Sequence, residues 1–126
     1  MIVHIDDDDD DRIWVKTLMD DLYPSVGLKQ FAGGEEALSY LEKVNRIDQP
    51  SLILLDINMP KMDGRMLLKA IQANDKLSAI PVILFTTSNS ELDKSFARKY
   101  NVQLVTKPPT ASFLKAALKE IMEPFV

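Results

Sequence analysis

Short apolar runs and amphipathic stretches alternate along the chain. The apolar runs span residues 1–5, 28–32, 51–55, 81–85 and 102–105, and the 28–32 run is the weakest of them. Runs of this length that are bounded by turn residues predict β-strands. The other four lack a clean polar and apolar alternation, which is typical of strands that are buried on both faces.

Apolar positions with helical spacing follow each predicted strand. Five strands that alternate with five helices predict an α/β fold with a parallel sheet and helices on both of its faces. Candidate helix starts are Asp10 or Asp11, then Asn89 with Ser90, then Thr110. The predicted apolar helix faces comprise Ile13, Leu18 and Leu22; Ala37, Leu38, Leu41 and Val44; Leu67, Leu68 and Ile71; Leu92, Phe96 and Tyr100; and Phe113, Leu114, Ala117, Leu118, Ile121 and Met122.

Composition narrows the class of protein. A chain of 126 residues that is 46% hydrophobic fits one domain, which we predict to span residues 1–126. The net charge of −4 gives no indication of a nucleic-acid partner, and the lack of cysteine excludes disulfides and thiolate metal sites. No apolar run approaches the ~20 residues of a membrane span, and no signal peptide is apparent. We therefore expect a cytoplasmic protein that binds neither nucleic acid nor membrane.

Polar residues that are able to bind a ligand or to react follow four of the predicted strands. Asp6 and Asp7 follow the first strand, Asp56 the third, Thr86 the fourth and Lys107 the fifth. Ligands of open α/β sheets bind at the carboxyl ends of the strands, so we expect these side chains to share one crevice. A hard cation such as Mg²⁺ would relieve repulsion among the carboxylates. An aspartate there can act as a nucleophile towards phosphorus, with a lysine and a hydroxyl contacting the phosphoryl oxygens.

Neighbouring residues receive structural interpretations. Residues 8–11 are interpreted as a solvated acidic start to the first helix, where carboxylates suit the positive end of the helix dipole. The acidic run is not a calcium-binding EF-hand loop, because its sixth position is not glycine and its twelfth is not glutamate. His4 lies within the first predicted strand, which favours a packing role over metal binding.

Four segments resemble the motifs of response-regulator receiver domains. They cover residues 2–7, 52–64, 81–88 and 105–108, occur in the family's order and span essentially the whole chain. The resemblance implies a flavodoxin-like, doubly wound, five-stranded parallel sheet with strand order 2-1-3-4-5. It also implies a function in a two-component signalling system.

The resemblance assigns an acceptor and a metal site. Asp56 would accept phosphate from a sensor histidine kinase or a histidine phosphotransfer protein. Mg²⁺ would be held by Asp7 directly, by Asp6 partly through water, by Asp56 itself and by the backbone carbonyl of Asn58. The place of Gly64 in the third segment fits a turn where a side chain would be unwelcome.

Further roles follow from the same resemblance. Thr86 and Lys107 would contact the phosphoryl group, and the bond from Lys107 to Pro108 is expected to be cis. Many family members have an aromatic residue three positions before the lysine, where this chain has Leu104. This difference puts a switch based on rotation of that aromatic ring in doubt.

We therefore expect a phosphorylation switch that signals by contact with a downstream protein, as a monomer or weak homodimer. The output surface would be formed by the fourth helix, fifth strand and fifth helix. The alternative is an intermediate receiver of a multistep phosphorelay. A third possibility is a phosphatase with an aspartyl nucleophile like the haloacid dehalogenases. Asn58 argues against it, because those enzymes have a second aspartate at that place. We therefore expect no enzyme activity beyond self-catalysed phosphorylation and dephosphorylation.

Overall fold

A computed structural model describes residues 1–126 of the chain. Five strands and five helices alternate strictly, as the apolar pattern predicts. Two short 3₁₀ helices also occur: Arg46–Asp48 lies between the second helix and the third strand, and Glu123–Phe125 comes after the fifth helix. The elements in chain order are β1 (Ile2–Ile5), α1 (Asp9–Leu22), β2 (Leu28–Phe31), α2 (Gly34–Lys43), β3 (Leu52–Leu55), α3 (Gly64–Ala73), β4 (Val82–Thr86), α4 (Glu91–Lys99), β5 (Gln103–Thr106) and α5 (Ala111–Met122).

The five strands form one parallel sheet in the order β2-β1-β3-β4-β5. This arrangement confirms the doubly wound fold and the strand order that the family resemblance implies. Ile5 at the end of β1 is paired with Phe31 on one side and Leu55 on the other. Thr86 is paired with Thr106. The carboxyl ends of the strands therefore lie almost level at one edge of the sheet.

The sheet has a hydrophobic core on each face. Val3, Ile53 and Leu84 belong to the larger core, which packs against α2, α3 and α4. Strand residues one position away belong to the smaller core under α1 and α5, for example Ile2 and Leu52. The side chains of β1, β3 and β4 are buried along their full length. The prediction that these three strands are covered on both faces is therefore confirmed.

The fifth strand differs from its prediction as a fully buried strand. Gln103 and Thr106 are exposed, and Leu104 and Val105 are only half-buried. The strand order explains the difference, because β5 lies at the edge of the sheet and is paired with β4 alone. Apolar character along the chain does not reveal which strand ends at an edge.

Three large apolar residues that periodicity assigned to the core are on the surface. Ile13 is 63% exposed, Leu92 is 83% exposed and Phe113 is 64% exposed. A helix turns by about 100° per residue, so Ile13 points about 140° away from Leu18, five positions later. The buried face of α1 is instead formed by Val15, Leu18 and Met19.

The capping residues at the helix starts agree only in part with those predicted from the sequence. The side chain of Asp8 caps α1 by accepting a hydrogen bond from the backbone N–H of Asp11, so the predicted caps Asp10 and Asp11 are wrong. Both residues lie inside the helix, whose regular turns begin at Asp9. Ser90 caps α4 by accepting from the N–H of Asp93, as predicted. Thr110 occupies the predicted cap position of α5.

None of the helices combines the length and the apolar character that crossing a membrane requires.

Gly64 at the start of α3 lies directly under the end of β3. Its N–H donates to the carbonyl of Ile57 at 2.8 Å. A Cβ atom at this position would overlap the carbonyl oxygen of Asp56 and lie 2.7 Å from the Cα of Ile57. Those are backbone atoms of the loop that carries Asp56, so they cannot move without displacing the site.

We predict that Gly64→Ala lowers the free energy of unfolding by about 2 kcal/mol, because an added methyl group overpacks the backbone beneath it. Urea denaturation measures the loss. Gly27→Ala is the matched control, since a Cβ there meets Met1 only at ordinary contact distances of 3.6 Å and above. Equal stability of the two variants would contradict the close approach.

Candidate functional site

Three carboxylates meet at the carboxyl edge of the sheet. Asp6 and Asp7 follow β1, and Asp56 follows β3. The sheet pairing continues one residue past the strands, since the N–H of Asp6 donates to Phe31 and that of Asp56 donates to Ile5. One carboxylate oxygen from each of the three aspartates lies within 4.8 Å of the others. The structure thus brings together the acidic residues that the sequence placed in one crevice.

Lys107 carries its charge into the same crevice from the end of β5. Its side chain is only 7% exposed. Its Nζ lies 2.6 Å from Asp6 Oδ2, 2.8 Å from Asp11 Oδ2 and 3.7 Å from Asp56 Oδ2. Burial lowers the pKa of Lys107, but its contacts with Asp11 and Asp6 outweigh that effect and raise the pKa above its ordinary value. The ammonium is therefore held in its charged form.

Asp6 is fully buried, and its carboxylate is well compensated. Its Oδ2 accepts from Lys107, and its Oδ1 accepts from the N–H of Asp8 at 3.0 Å. Burial raises the pKa of Asp6, but contacts with His4, Lys107 and the Asp8 backbone N–H bring it down to about 2. Asp6 is thus a permanent negative charge at neutral pH.

Asp56 has the opposite environment. It is buried, and its Oδ1 has no hydrogen-bond partner within the protein. Burial raises the pKa of Asp56, and the nearby charge of Asp6 adds to this effect. The charge of Lys107, the Thr86 hydroxyl and the Asn58 N–H act in the other direction without cancelling it. Asp56 is therefore a buried carboxylate with an unpartnered oxygen, and the residue lines a polar crevice.

The hydroxyl and amide residues predicted for the site lie around Asp56. Thr86 is buried at the end of β4, and its carbonyl accepts from the N–H of Lys107 at 2.7 Å. The exposed Thr87, which the sequence interpretation did not single out, also lies on the crevice wall. No apolar side chain lines the crevice, whose walls are formed by Asp7, Asp8, Asp9, Asp10, Asp11, Asp56, Asn58, Thr87 and Lys107.

Asp11 is a site residue that sequence reasoning missed. Residues 8–11 were interpreted together as a solvated acidic helix start, and that interpretation is wrong for Asp11, whose carboxylate contacts Lys107. The side chain of Asp11 is 33% exposed, whereas Asp8, Asp9 and Asp10 are exposed. Asp11 lies in the first turn of α1, and the ion pair joins this turn to the end of β5.

Buried polar groups behind Asp6 fix the end of β1. His4 is 1% exposed, its Nδ1 accepts from Gln30 Nε2 at 3.0 Å, and its Nε2 lies 3.7 Å from Asp6 Oδ2. Gln30 also donates to the Arg12 carbonyl, and Arg12 Nη1 donates to the Asp6 carbonyl at 2.7 Å. The predicted packing role of His4 is confirmed, and its ring also supports the Asp6 carboxylate.

A second buried carboxylate organises the loop after β4. Asp93 is 4% exposed, and it accepts hydrogen bonds from the Arg65 guanidinium and the Ser88 hydroxyl. Burial raises the pKa of Asp93, but Ser88, Arg65 and Ser90 together lower it below its ordinary value. These bonds connect α3 to the start of α4, and they hold the segment that follows Thr86.

The expected cis bond between Lys107 and Pro108 is not present, since every peptide bond of the chain is trans. Bonds that precede proline favour the trans form by about 0.5–1 kcal/mol. Lys107 reaches both Asp6 and Asp11 with this backbone geometry.

The donor set suits a hard divalent cation. Mg²⁺ binds oxygen ligands at about 2.0–2.1 Å, so two of its ligands are at most about 4.2 Å apart. The oxygens of Asp6, Asp7 and Asp56 lie within 4.8 Å of one another, which is close to that range. The unpartnered Oδ1 of Asp56 offers a free ligand atom. The residues therefore fit the metal predicted from the sequence.

Comparison with known proteins agrees with this site. The family model described as the response regulator receiver domain matches residues 2–119. The chain belongs to that family and is a receiver domain of a two-component response regulator.

Individual relatives are similar over part or all of the chain. The probable methanogenesis regulatory protein FilR2 of Methanothrix harundinacea is 36% identical over 94 residues, which are 71% of this chain and 60% of that protein. The response regulator Rcp1 of Synechocystis is 43% identical over 63 residues, which are 48% of this chain and 43% of that protein. The matched segments thus span only about half the length of these two relatives.

Solved structures are similar over nearly the whole chain. The phosphorylated cyanobacterial phytochrome response regulator RcpA superposes with a TM-score of 0.89 at 30% identity, covering 97% of this chain and 90% of that chain. The Mn²⁺-bound form of Rcp1 superposes with a TM-score of 0.81 at 28% identity, covering 96% of this chain and 90% of that chain.

We predict that Asp56→Asn stabilises the protein by about 1 kcal/mol at pH 7 without divalent cations, since it removes a buried charge with an unsatisfied oxygen. A carboxyl group whose pKa is raised on folding binds more protons in the folded state, so stability falls as the pH rises through the folded pKa. The gain should therefore disappear below about pH 4, where Asp56 is protonated in both states.

Urea denaturation at several pH values measures this difference, and Asp75→Asn at an exposed position controls for the loss of one negative charge. Destabilisation by Asp56→Asn at pH 7 would show instead that the ion pair with Lys107 outweighs the cost of burying the charge.

Proposed function

We propose that the chain is a phosphorylation switch in which Asp56 accepts a phosphoryl group from a histidine kinase or a histidine phosphotransfer protein. The observation that carries the proposal is the environment of Asp56. It combines a buried carboxylate, an unpartnered oxygen, two acidic neighbours and a lysine ammonium 3.7 Å away. An ordinary structural aspartate would have its oxygens satisfied, as those of Asp6 are.

The chemistry assigned to Asp56 is nucleophilic. A carboxylate oxygen attacks phosphorus, the new O–P bond forms, and the bond from phosphorus to the donor's histidine nitrogen breaks. The electron pair of that bond remains on the imidazole, which takes up a proton. Lys107 would balance charge on the transferred phosphoryl oxygens, and Thr86 would donate its hydroxyl to them. Positioning and charge compensation are the main requirements of such a transfer.

Asp6, Asp7 and Asp56, together with the backbone carbonyl of Asn58, would hold the divalent cation, for which we propose Mg²⁺. When bound, the cation supplies positive charge that offsets repulsion between the carboxylates and an incoming phosphoryl group. The Mn²⁺-bound form of Rcp1 supports this assignment, because that relative shares the fold and has been solved with a divalent metal.

Phosphorylation would change the loops after β4 and β5. The added negative charge attracts Lys107 at the end of β5 and the Thr86 hydroxyl at the end of β4, and these two residues are already joined by a backbone hydrogen bond. A local electrostatic event can in this way alter the surface formed by α4, β5 and α5. Output through a downstream protein, whether from a monomer or a weak homodimer, fits this arrangement.

The same chemistry would serve a phosphorelay intermediate, and no feature of the site favours that alternative. No substrate pocket beyond the acidic crevice adjoins Asp56, and Asn58 cannot act as a second acid. We therefore propose no enzyme activity beyond self-catalysed phosphorylation and dephosphorylation.

We predict that Mg²⁺ binds with a stoichiometry of one, and that Asp7→Asn weakens the binding roughly tenfold or more by removing a charged oxygen ligand. Isothermal titration calorimetry measures both values. Asp10→Asn removes the same charge from a residue outside the three-carboxylate cluster, and it should weaken binding far less. Equal losses in the two variants would indicate attraction by the acidic run as a whole.

We predict that incubation with acetyl phosphate and Mg²⁺ adds one phosphoryl group to the wild-type protein. Intact-protein mass spectrometry detects the adduct, which should be labile to base and absent when EDTA is present. Asp56→Asn should take up no phosphate. A wild-type protein that gains no mass and also fails to bind beryllofluoride would refute the acceptor role.

A further inference from the structure

We infer that Asp11 is a positioning residue that holds Lys107 on the α1 side of the crevice and thereby restrains the phosphorylation of Asp56. The inference rests on the proposed acceptor role of Asp56. It concerns a carboxylate in the first turn of α1 that lies outside the metal-binding cluster.

The distances around Lys107 carry the argument. Its ammonium makes close contacts with Asp6 at 2.6 Å and Asp11 at 2.8 Å, whereas Asp56 is at 3.7 Å and is not hydrogen-bonded to it. The Lys107 ammonium, which should compensate the charge of the phosphoryl group, is thus already shared between the carboxylates of Asp6 and Asp11. Asp56 is left with the longest of the three contacts, at 3.7 Å.

The two close contacts are not equivalent. Asp6 is fully buried, and it keeps the hydrogen bond from the Asp8 backbone N–H and the contact with His4 whatever Lys107 does. Asp11 is 33% exposed, so its carboxylate can be solvated by water if Lys107 leaves it. Losing the Asp11 contact therefore costs less than losing the Asp6 contact, and Asp11 is the partner that a phosphoryl group on Asp56 can replace.

Asp11 acts on the reaction in two ways. It withholds part of the Lys107 charge from Asp56, and its own negative charge lies close to where the phosphoryl oxygens would be placed. Both effects oppose the accumulation of negative charge at Asp56. The remaining exposed acids of the run lack this contact, since Asp9 pairs with Arg12 and Asp10 has no hydrogen-bond or ion-pair partner.

The test compares Asp11→Asn with Asp10→Asn, which removes the same charge from the adjacent residue without touching Lys107. Phosphorylation rates with acetyl phosphate and Mg²⁺ are followed by quenched intact-protein mass spectrometry. We expect Asp11→Asn to be phosphorylated about three- to tenfold faster than wild type, and Asp10→Asn less than about twofold faster. Asp11→Glu keeps the charge, so its phosphorylation rate should be closer to that of wild type than the rate of Asp11→Asn is.

The side-chain oxygen of an asparagine at position 11 can still accept a hydrogen bond from Lys107, so a second pair of variants is needed. Asp11→Ala removes the acceptor altogether, and Asp10→Ala is its control. Repeating the Asp11 and Asp10 substitutions in a Lys107→Met background shows whether the effect passes through the lysine. We expect the advantage of the Asp11 variant over the Asp10 variant to shrink there to the part that the direct charge of Asp11 accounts for, and an undiminished advantage would overturn the positioning role.

A readout that needs neither metal nor phosphate is the Lys107 ammonium signal in nitrogen-15 NMR spectra of the metal-free protein. Asp11→Asn should speed the exchange of its protons with water, and Asp10→Asn should leave it unchanged. Equal phosphorylation rates in the two variants, a slower rate in Asp11→Asn or an unchanged Lys107 signal would overturn the inference. A wild-type protein that takes no phosphate would instead remove the proposed function on which it rests.

Discussion

An excess of negative charge around one buried ammonium is the constraint on which the rest of this structure depends. Asp6, Asp7 and Asp56 converge at one edge of the sheet, and Lys107 alone supplies positive charge among them. Charges of like sign at such distances repel strongly where water is scarce. Lys107 and the Asp8 backbone N–H compensate the negative charge of Asp6, whereas Asp56 has an oxygen without a hydrogen-bond partner. That difference distinguishes Asp56, the proposed acceptor, from the structural carboxylate of Asp6.

The sheet supplies the rigidity that this arrangement requires. Because β1 and β3 are adjacent and in register, the residues that follow them have little freedom to move apart. Gly64 lets α3 begin against the backbone of Asp56, and the bonds among His4, Gln30 and Arg12 secure the end of β1. The destabilising charges thus lie at the ends of fully buried strands, and the stability of the surrounding core offsets their free-energy cost.

The loops on the other side of the crevice are held by a few polar contacts. Thr86 and Lys107 share one backbone hydrogen bond, Asp11 holds Lys107 from α1, and Asp93 secures the start of α4 through Ser88. The Asp11 contact can be exchanged for another at modest cost because Asp11 is partly exposed, in contrast to the contacts of the buried strands. A change of charge at Asp56 would therefore act first on these loops.

The sequence by itself determined the elements, their alternation and the residues at four strand ends, because buried parallel strands and amphipathic helices leave strong local patterns. The family motifs added the strand order. Only the tertiary structure decided that β5 is a half-exposed edge and that Ile13, Leu92 and Phe113 face solvent. It also decided that Asp11 differs from the acids beside it. Adjacent residues of one acidic run are chemically identical along the chain, and only the helix rotation and the approach of Lys107 distinguish them.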